Sequence, residues 1–189
     1  MDFGAAVGVW FASHLVTATP VGRRFGLGAG AFPVRLQFET GTGLDDIEVG
    51  LSDGSVILIQ CKTRPTLSTS GDSGLASMIT QLVRFVIASP TSVAHVHPAR
   101  TSAVLAVATD APASLNTLEA ACRMFDTGGT WPEVYARVSK SQRSALDILR
   151  GHANTEWAVQ RGVAARDDEL ASLAMLLHIV RFDASDTGS

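Results

Sequence analysis

Residues 45–62 read DDIEVGLSDGSVILIQCK, and the reading of this stretch decides the fold. Ser52-Asp53-Gly54-Ser55 is a hairpin turn, because Asp hydrogen-bonds its own backbone and Gly tolerates positive φ. It separates a strand over 46–51 from a second over 56–62. The second, VILIQCK, is apolar on both faces up to Ile59, as expected of a central strand covered on both sides. Residues two apart in a strand share a face, so Gln60 and Lys62 project together. An amide and an ammonium therefore stand at the end of a buried strand, beside the paired carboxylates Asp45 and Asp46. A buried ammonium without counter-charge costs several kcal/mol, so this Lys calls for a carboxylate or an anionic ligand.

Upstream, Val34, Leu36 and Phe38 alternate with polar residues as in a half-buried strand. Residues 21–33 read as a Gly-rich loop. The apolar stretch 3–18 has helical spacing and stops before Pro20. Downstream come a Thr/Ser/Pro loop, a helix over 74–88 and a buried strand over 103–109. Helical patterns then cover 114–125, 131–137, 140–151 and 167–180. The order predicts an α/β fold: a mixed central sheet flanked by helices, with a helical C-terminal part. One domain is expected over 1–189, its core at 1–125 and the helical part at 126–183. The polar end after Asp183 reads as though cut from a longer protein.

The chain has 189 residues, 46% hydrophobic and 17% charged, with a net charge of −3. That excludes a mainly disordered chain, and no run of ~18 apolar residues spans a membrane. A sequence-indifferent nucleic-acid coat would carry a basic excess. A nuclease needs only local basic residues. Two cysteines, Cys61 and Cys122, build neither a disulfide framework nor a thiolate zinc site. No secretory signal opens the sequence, so a cytoplasmic location is the expectation.

The pattern Gly43-Leu44-Asp45, fourteen residues, then Gln60-Cys61-Lys62 resembles the PD-(D/E)xK nuclease superfamily in its Mrr-like, Gln-x-Lys version. With Glu39 and Asp46 added, it is most similar to the N-terminal double-stranded-DNA effector nuclease domains of bacterial anti-phage proteins, namely the antiviral STAND NTPases and cyclic-nucleotide-linked effectors. The likeness continues in the Gln81-bearing helix. The resemblance implies a restriction-endonuclease-like fold and an Mg²⁺- or Mn²⁺-dependent endonuclease of double-stranded DNA. It also implies activation by homo-oligomerisation through a part of a longer protein, the lone domain being weakly active.

Asp45, Gln60 and Lys62 would be the catalytic set, and Asp45, Asp46, Gln60, Cys61 (through its carbonyl) and Glu39 the metal ligands. Mg²⁺ takes carboxylates and carbonyl oxygens and keeps several waters. Lys62 would orient the attacking water and balance developing charge. Gly-x-Asp spacing favours Asp45; strict alternation sends Asp45 and Asp46 to opposite faces, and a bulge would let both turn inward. Arg64 and Arg84 are the phosphate-gripping candidates. Relatives carry a Glu on the first helix, whereas 3–18 holds no acid. A degenerate nuclease fold serving as a DNA-binding or oligomerisation module is the alternative.

Other signals read as ordinary structure. Gly71-Asp72-Ser73-Gly74 matches a serine-protease core but lacks a His partner motif, and reads as a helix cap. Gly26 to Gly30 precedes a strand, where a dinucleotide fingerprint would follow one. His95 and His97 have no acidic or thiol neighbour in sequence. Trp10, Trp131 and Trp157, with His14 and His178, read as core residues.

Overall fold

The computed structural model describes residues 2–38, 46–88 and 97–183. Five strands form one mixed sheet in the order β1-β2-β3-β4-β5. They are β1 (Pro33–Phe38), β2 (Ile47–Leu51), β3 (Val56–Cys61), β4 (Thr101–Ala108) and β5 (Leu177–Phe182). β1, β2 and β3 run antiparallel, while β3, β4 and β5 run parallel. The hairpin turn is as expected: Gly54 has φ +80°, and Asp53 Oδ1 accepts from the Ser55 N–H at 3.0 Å.

Six described helices flank the sheet: α1 (Phe3–Thr17), α2 (Gly74–Ala88), α3 (Ser114–Arg123), α4 (Trp131–Arg137), α5 (Lys140–Arg161) and α6 (Asp167–Leu176). α1 covers one face, packing Val7 and Phe11 on Ile47, Ile57, Ile59 and Phe182. The other helices share a second core with Leu58, Leu105 and Leu177 on the opposite face. β3 and β4 are thus buried on both sides, which explains their unbroken apolar runs. Trp131 and Trp157 lie in the second core, while Trp10 packs against the first. Ser73 Oγ accepts from the Ala76 N–H at 3.0 Å and caps α2, so the Gly-Asp-Ser-Gly motif is a helix start.

Two stretches depart from the sequence expectation. The helix starting at 140 continues through Gly151 to Arg161. Residues 177–180, expected to continue the helix that begins at 167, belong to strand β5, which runs to Phe182 directly after α6. The switch is enforced from α3. Arg123 Nη2 donates to the Ala174 and Leu177 carbonyls at 3.1 and 2.5 Å, satisfying acceptors that the helix end leaves open. Glu119 Oε2 accepts from the Ile179 N–H at 2.6 Å. His178 Nε2 lies 2.8 Å from Arg123 Nη1. Arginine can only donate, so His178 accepts there and carries its proton on Nδ1, towards Glu119.

Candidate active site

Gln60 and Lys62 follow the parity of Leu58 and face α2. Gln60 is 4% exposed, and its Nε2 donates to Gln81 Oε1 on α2. Its own Oε1 is buried with no partner among the described residues. A buried acceptor left open costs about 1–3 kcal/mol, so this oxygen is set towards a water, a cation or a ligand. Lys62 extends β3, its N–H donating to the Ala106 carbonyl at 3.0 Å. Its stem lies along Gly74 at the start of α2, where a Cβ on Gly74 would sit 3.5 Å from Lys62 Cγ. Among the described residues no carboxylate pairs with Lys62. The ammonium and the positive end of α2 together favour an anion at this corner.

Asp46 behaves differently. Its N–H donates to the Ile59 carbonyl at 2.8 Å, and its carboxylate accepts from the Cys61 N–H at 2.7 Å. With Asp2, Gly4, Phe38, Cys61 and Thr63 it lines a cleft of about 460 Å³ at the α1 side of the sheet. The expected grouping of Asp46 with the Gln60 side chain is therefore not formed: the carboxylate belongs to the α1 side and the amide to the α2 side. The Cys61 thiol borders the same cleft. Burial first, then the charges of Asp46 and Asp2, push it up to about 12, against a small opposing effect of Lys62.

Asp2 was missed in sequence because the helix itself holds no acid. It stands at the residue before α1, a position where Asp normally caps the helix. Here it makes no capping bond, and its carboxylate reaches the cleft. The usable signal was the Asp immediately ahead of the apolar run.

Asp45 and Glu39 lie outside the described residues, as does His95. Among the described residues no three His, Cys, Asp or Glu side chains gather as a metal centre. The donors present are hard oxygens, divided between the two faces: the Asp2 and Asp46 carboxylates on the α1 side and Gln60 Oε1 on the α2 side, with the Cys61 carbonyl in the strand between them. They fit Mg²⁺ or Mn²⁺ by chemical type, and Asp45 is the remaining donor expected of the set.

The two arginines expected to hold phosphate both meet carboxylates. Arg64 pairs with Asp110 on the surface. Arg84 Nε donates to Glu156 Oε1 at 2.7 Å and ties α2 to α5. No described helix is long and apolar enough to cross a membrane. No protein-family model, no curated protein and no solved structure matches the chain.

Proposed function

We propose that this chain is a metal-dependent endonuclease acting on double-stranded DNA, the effector domain of a cytoplasmic anti-phage defence protein that works as a homo-oligomer. One observation carries the reading. At the end of a central strand, a buried Gln60 holds an oxygen with no partner among the described residues, two residues before a Lys62 that no described carboxylate neutralises. A purely structural strand end would be expected to close both groups on protein partners.

Asp45 and the Cys61 carbonyl would hold the metal ion, while Asp46, bound to the Cys61 N–H on the α1 side, stands apart from the Gln60 side chain. When bound, Mg²⁺ or Mn²⁺ supplies charge neutralisation on the phosphoryl oxygens and acidifies a water. Gln60 Oε1 accepts a proton-bearing partner such as the attacking water and aims it. Gln81 holds the Gln60 amide in that orientation. Lys62 offsets charge growing on the phosphate.

The test is plasmid nicking in Mg²⁺ by the wild-type chain and by Lys62→Ala. The variant should fold normally and lose about 100-fold or more in rate. Undiminished cleavage by Lys62→Ala sinks the mechanism. A second reading, a non-cutting DNA-binding or oligomerisation module, is favoured by the Gln at position 60 and by the Asp46 carboxylate being committed to the Cys61 N–H. It predicts no metal-dependent cleavage at any protein concentration, even when the chain is fused to an oligomeric scaffold.

A further inference from the structure

The chain as a whole is acidic, yet residues 137–150 hold four cations, Arg137, Lys140, Arg143 and Arg150, against the single carboxylate of Asp147. On α5, Lys140, Arg143, Asp147 and Arg150 fall at i, i+3, i+7 and i+10, one face of the helix. Lys140 and Arg143 are exposed. Asp147 is already engaged, accepting from the Tyr135 hydroxyl at 2.9 Å and from Arg150 Nη2 at 2.8 Å. The Arg150 guanidinium also lies 5.6 Å from the Tyr135 ring centre. Arg143 donates through Nε to the Val138 carbonyl at 3.2 Å, which orients its outer nitrogens.

Six of the other described arginines behave differently, while Arg24 and Arg181 donate to backbone carbonyls. Arg35, Arg64, Arg84, Arg123, Arg161 and Arg166 each sit on a carboxylate. Neither Lys140 nor Arg143 meets one among the described residues. Charge left without internal partners on one helix face suits a polyanion.

Two features make the face approachable. Gly151 lies in the interior of α5 with nothing within 4 Å of where a Cβ would stand. Alanine would be more stable there, and no neighbour inside the protein requires the glycine. Ser144 and Thr155 lie on the same side, their hydroxyls turned back to the Lys140 and Gly151 carbonyls at 3.2 and 2.9 Å. A smooth strip thus runs beside the cations. At 1.5 Å per residue, Lys140 to Arg150 spans about 15 Å, the rise of about four nucleotides of one strand.

On the opposite flank of α5, His152 Nε2 donates to the Ser68 carbonyl at 2.7 Å, which ties the helix, though not its cationic face, to the segment that follows Lys62 and Arg64.

We propose that the exposed face of α5 formed by Lys140, Arg143 and Arg150 is a docking surface for the phosphate backbone of duplex DNA. The choice of partner rests on the reading of the chain as a DNA-acting enzyme; the charge complementarity does not. These are backbone contacts, so they hold and orient the duplex without reading its sequence.

The experiment is fluorescence anisotropy of the 189-residue chain with a labelled 25-base-pair duplex in EDTA, repeated over a range of salt. The logarithm of the wild-type binding constant should fall linearly with the logarithm of salt concentration. Lys140→Gln/Arg143→Gln should weaken binding about tenfold or more at low salt and flatten the slope by about two. Arg166→Gln, which removes one charge at the residue before α6, should leave both unchanged. Gly151→Ala should melt at higher temperature yet bind less tightly, which separates docking from folding. Wild-type affinity and slope in the double variant overturn the proposal, and so does a wild-type chain that does not bind the duplex. EDTA prevents cutting, so this result is independent of the nicking assay. Binding lost in the α5 variants, with no cleavage by wild type in Mg²⁺ even when fused to an oligomeric scaffold, would remove the nuclease reading and keep this surface.

Discussion

Gln60 on β3 and Gln81 on α2 join amide to amide across the sheet–helix interface, Nε2 of the first donating to Oε1 of the second. The bond closes one end of the Gln60 amide, and the other end has no partner among the described residues. Gln81→Leu should strand a buried N–H and cost about 1–3 kcal/mol. Gln60→Leu/Gln81→Leu should recover most of that stability while abolishing any cleavage. Urea unfolding of the two singles and the double measures the coupling. Additive losses would show that the pair does not act as a unit.

Glu156 gives the fold an acid-sensitive joint. Burial pushes its carboxyl up, but the hydrogen bonds from Arg84 and Gln160 and the Arg84 charge outweigh this and hold it below the usual 4.5. A depressed folded value stabilises above the unfolded one and is lost as pH falls through it. Arg84→Met should therefore cost about 1 kcal/mol at pH 7, modest because Arg84 is half-exposed. The gap between variant and wild type should close below pH 4.5. Urea midpoints from pH 7 to pH 3 give the comparison.

Both thiols should be inert in the native protein. Cys61 is pushed up to about 12, and Cys122 is raised further still by full burial, with Glu119 adding to it. The thiolate is the reactive form, so iodoacetamide at pH 8 should label neither until the chain is unfolded. Asp46→Asn removes one of the charges raising Cys61 and should bring its labelling forward, with Cys122 unchanged.

Gly26 cannot be exchanged. It has φ +71°, and a Cβ there would fall 2.6 Å from His178 Cε1 and 2.8 Å from Nε2. Gly26→Ala combines left-handed strain with overpacking and should cost about 2–4 kcal/mol. The loss would appear in thermal melts as a lower midpoint with an unchanged native spectrum.

What the sequence disclosed follows from how local each signal is. The Asp53-Gly54 turn and the two-sided apolar run before Gln60 are local, and they placed the hairpin and its central strand. β5 is not local: residues 177–180 continue a helical pattern, and the distant ladder with β4, supported by Glu119 and Arg123 on α3, makes them a strand. Alternation assigned Asp46 to the face of Glu48. Its N–H turns instead to the Ile59 carbonyl, which carries the carboxylate to the α1 side. Gly151 looked like a helix end because glycine is a weak helix former, but the helix continues, supported by buried Leu149, Ala153 and Trp157.

The position of β5 also sets the order in which the fold can assemble. β1, β2 and β3 are neighbours in sequence and in space, so their pairing closes only short loops. Ala103 pairs with Leu177, and every helix from α3 to α6 lies inside the loop that this pairing closes. Long loops are closed at an entropic cost before their contacts repay it. The hairpin bearing Gln60 can therefore form early, while its neighbour β4 keeps one hydrogen-bonding edge open until the last strand arrives.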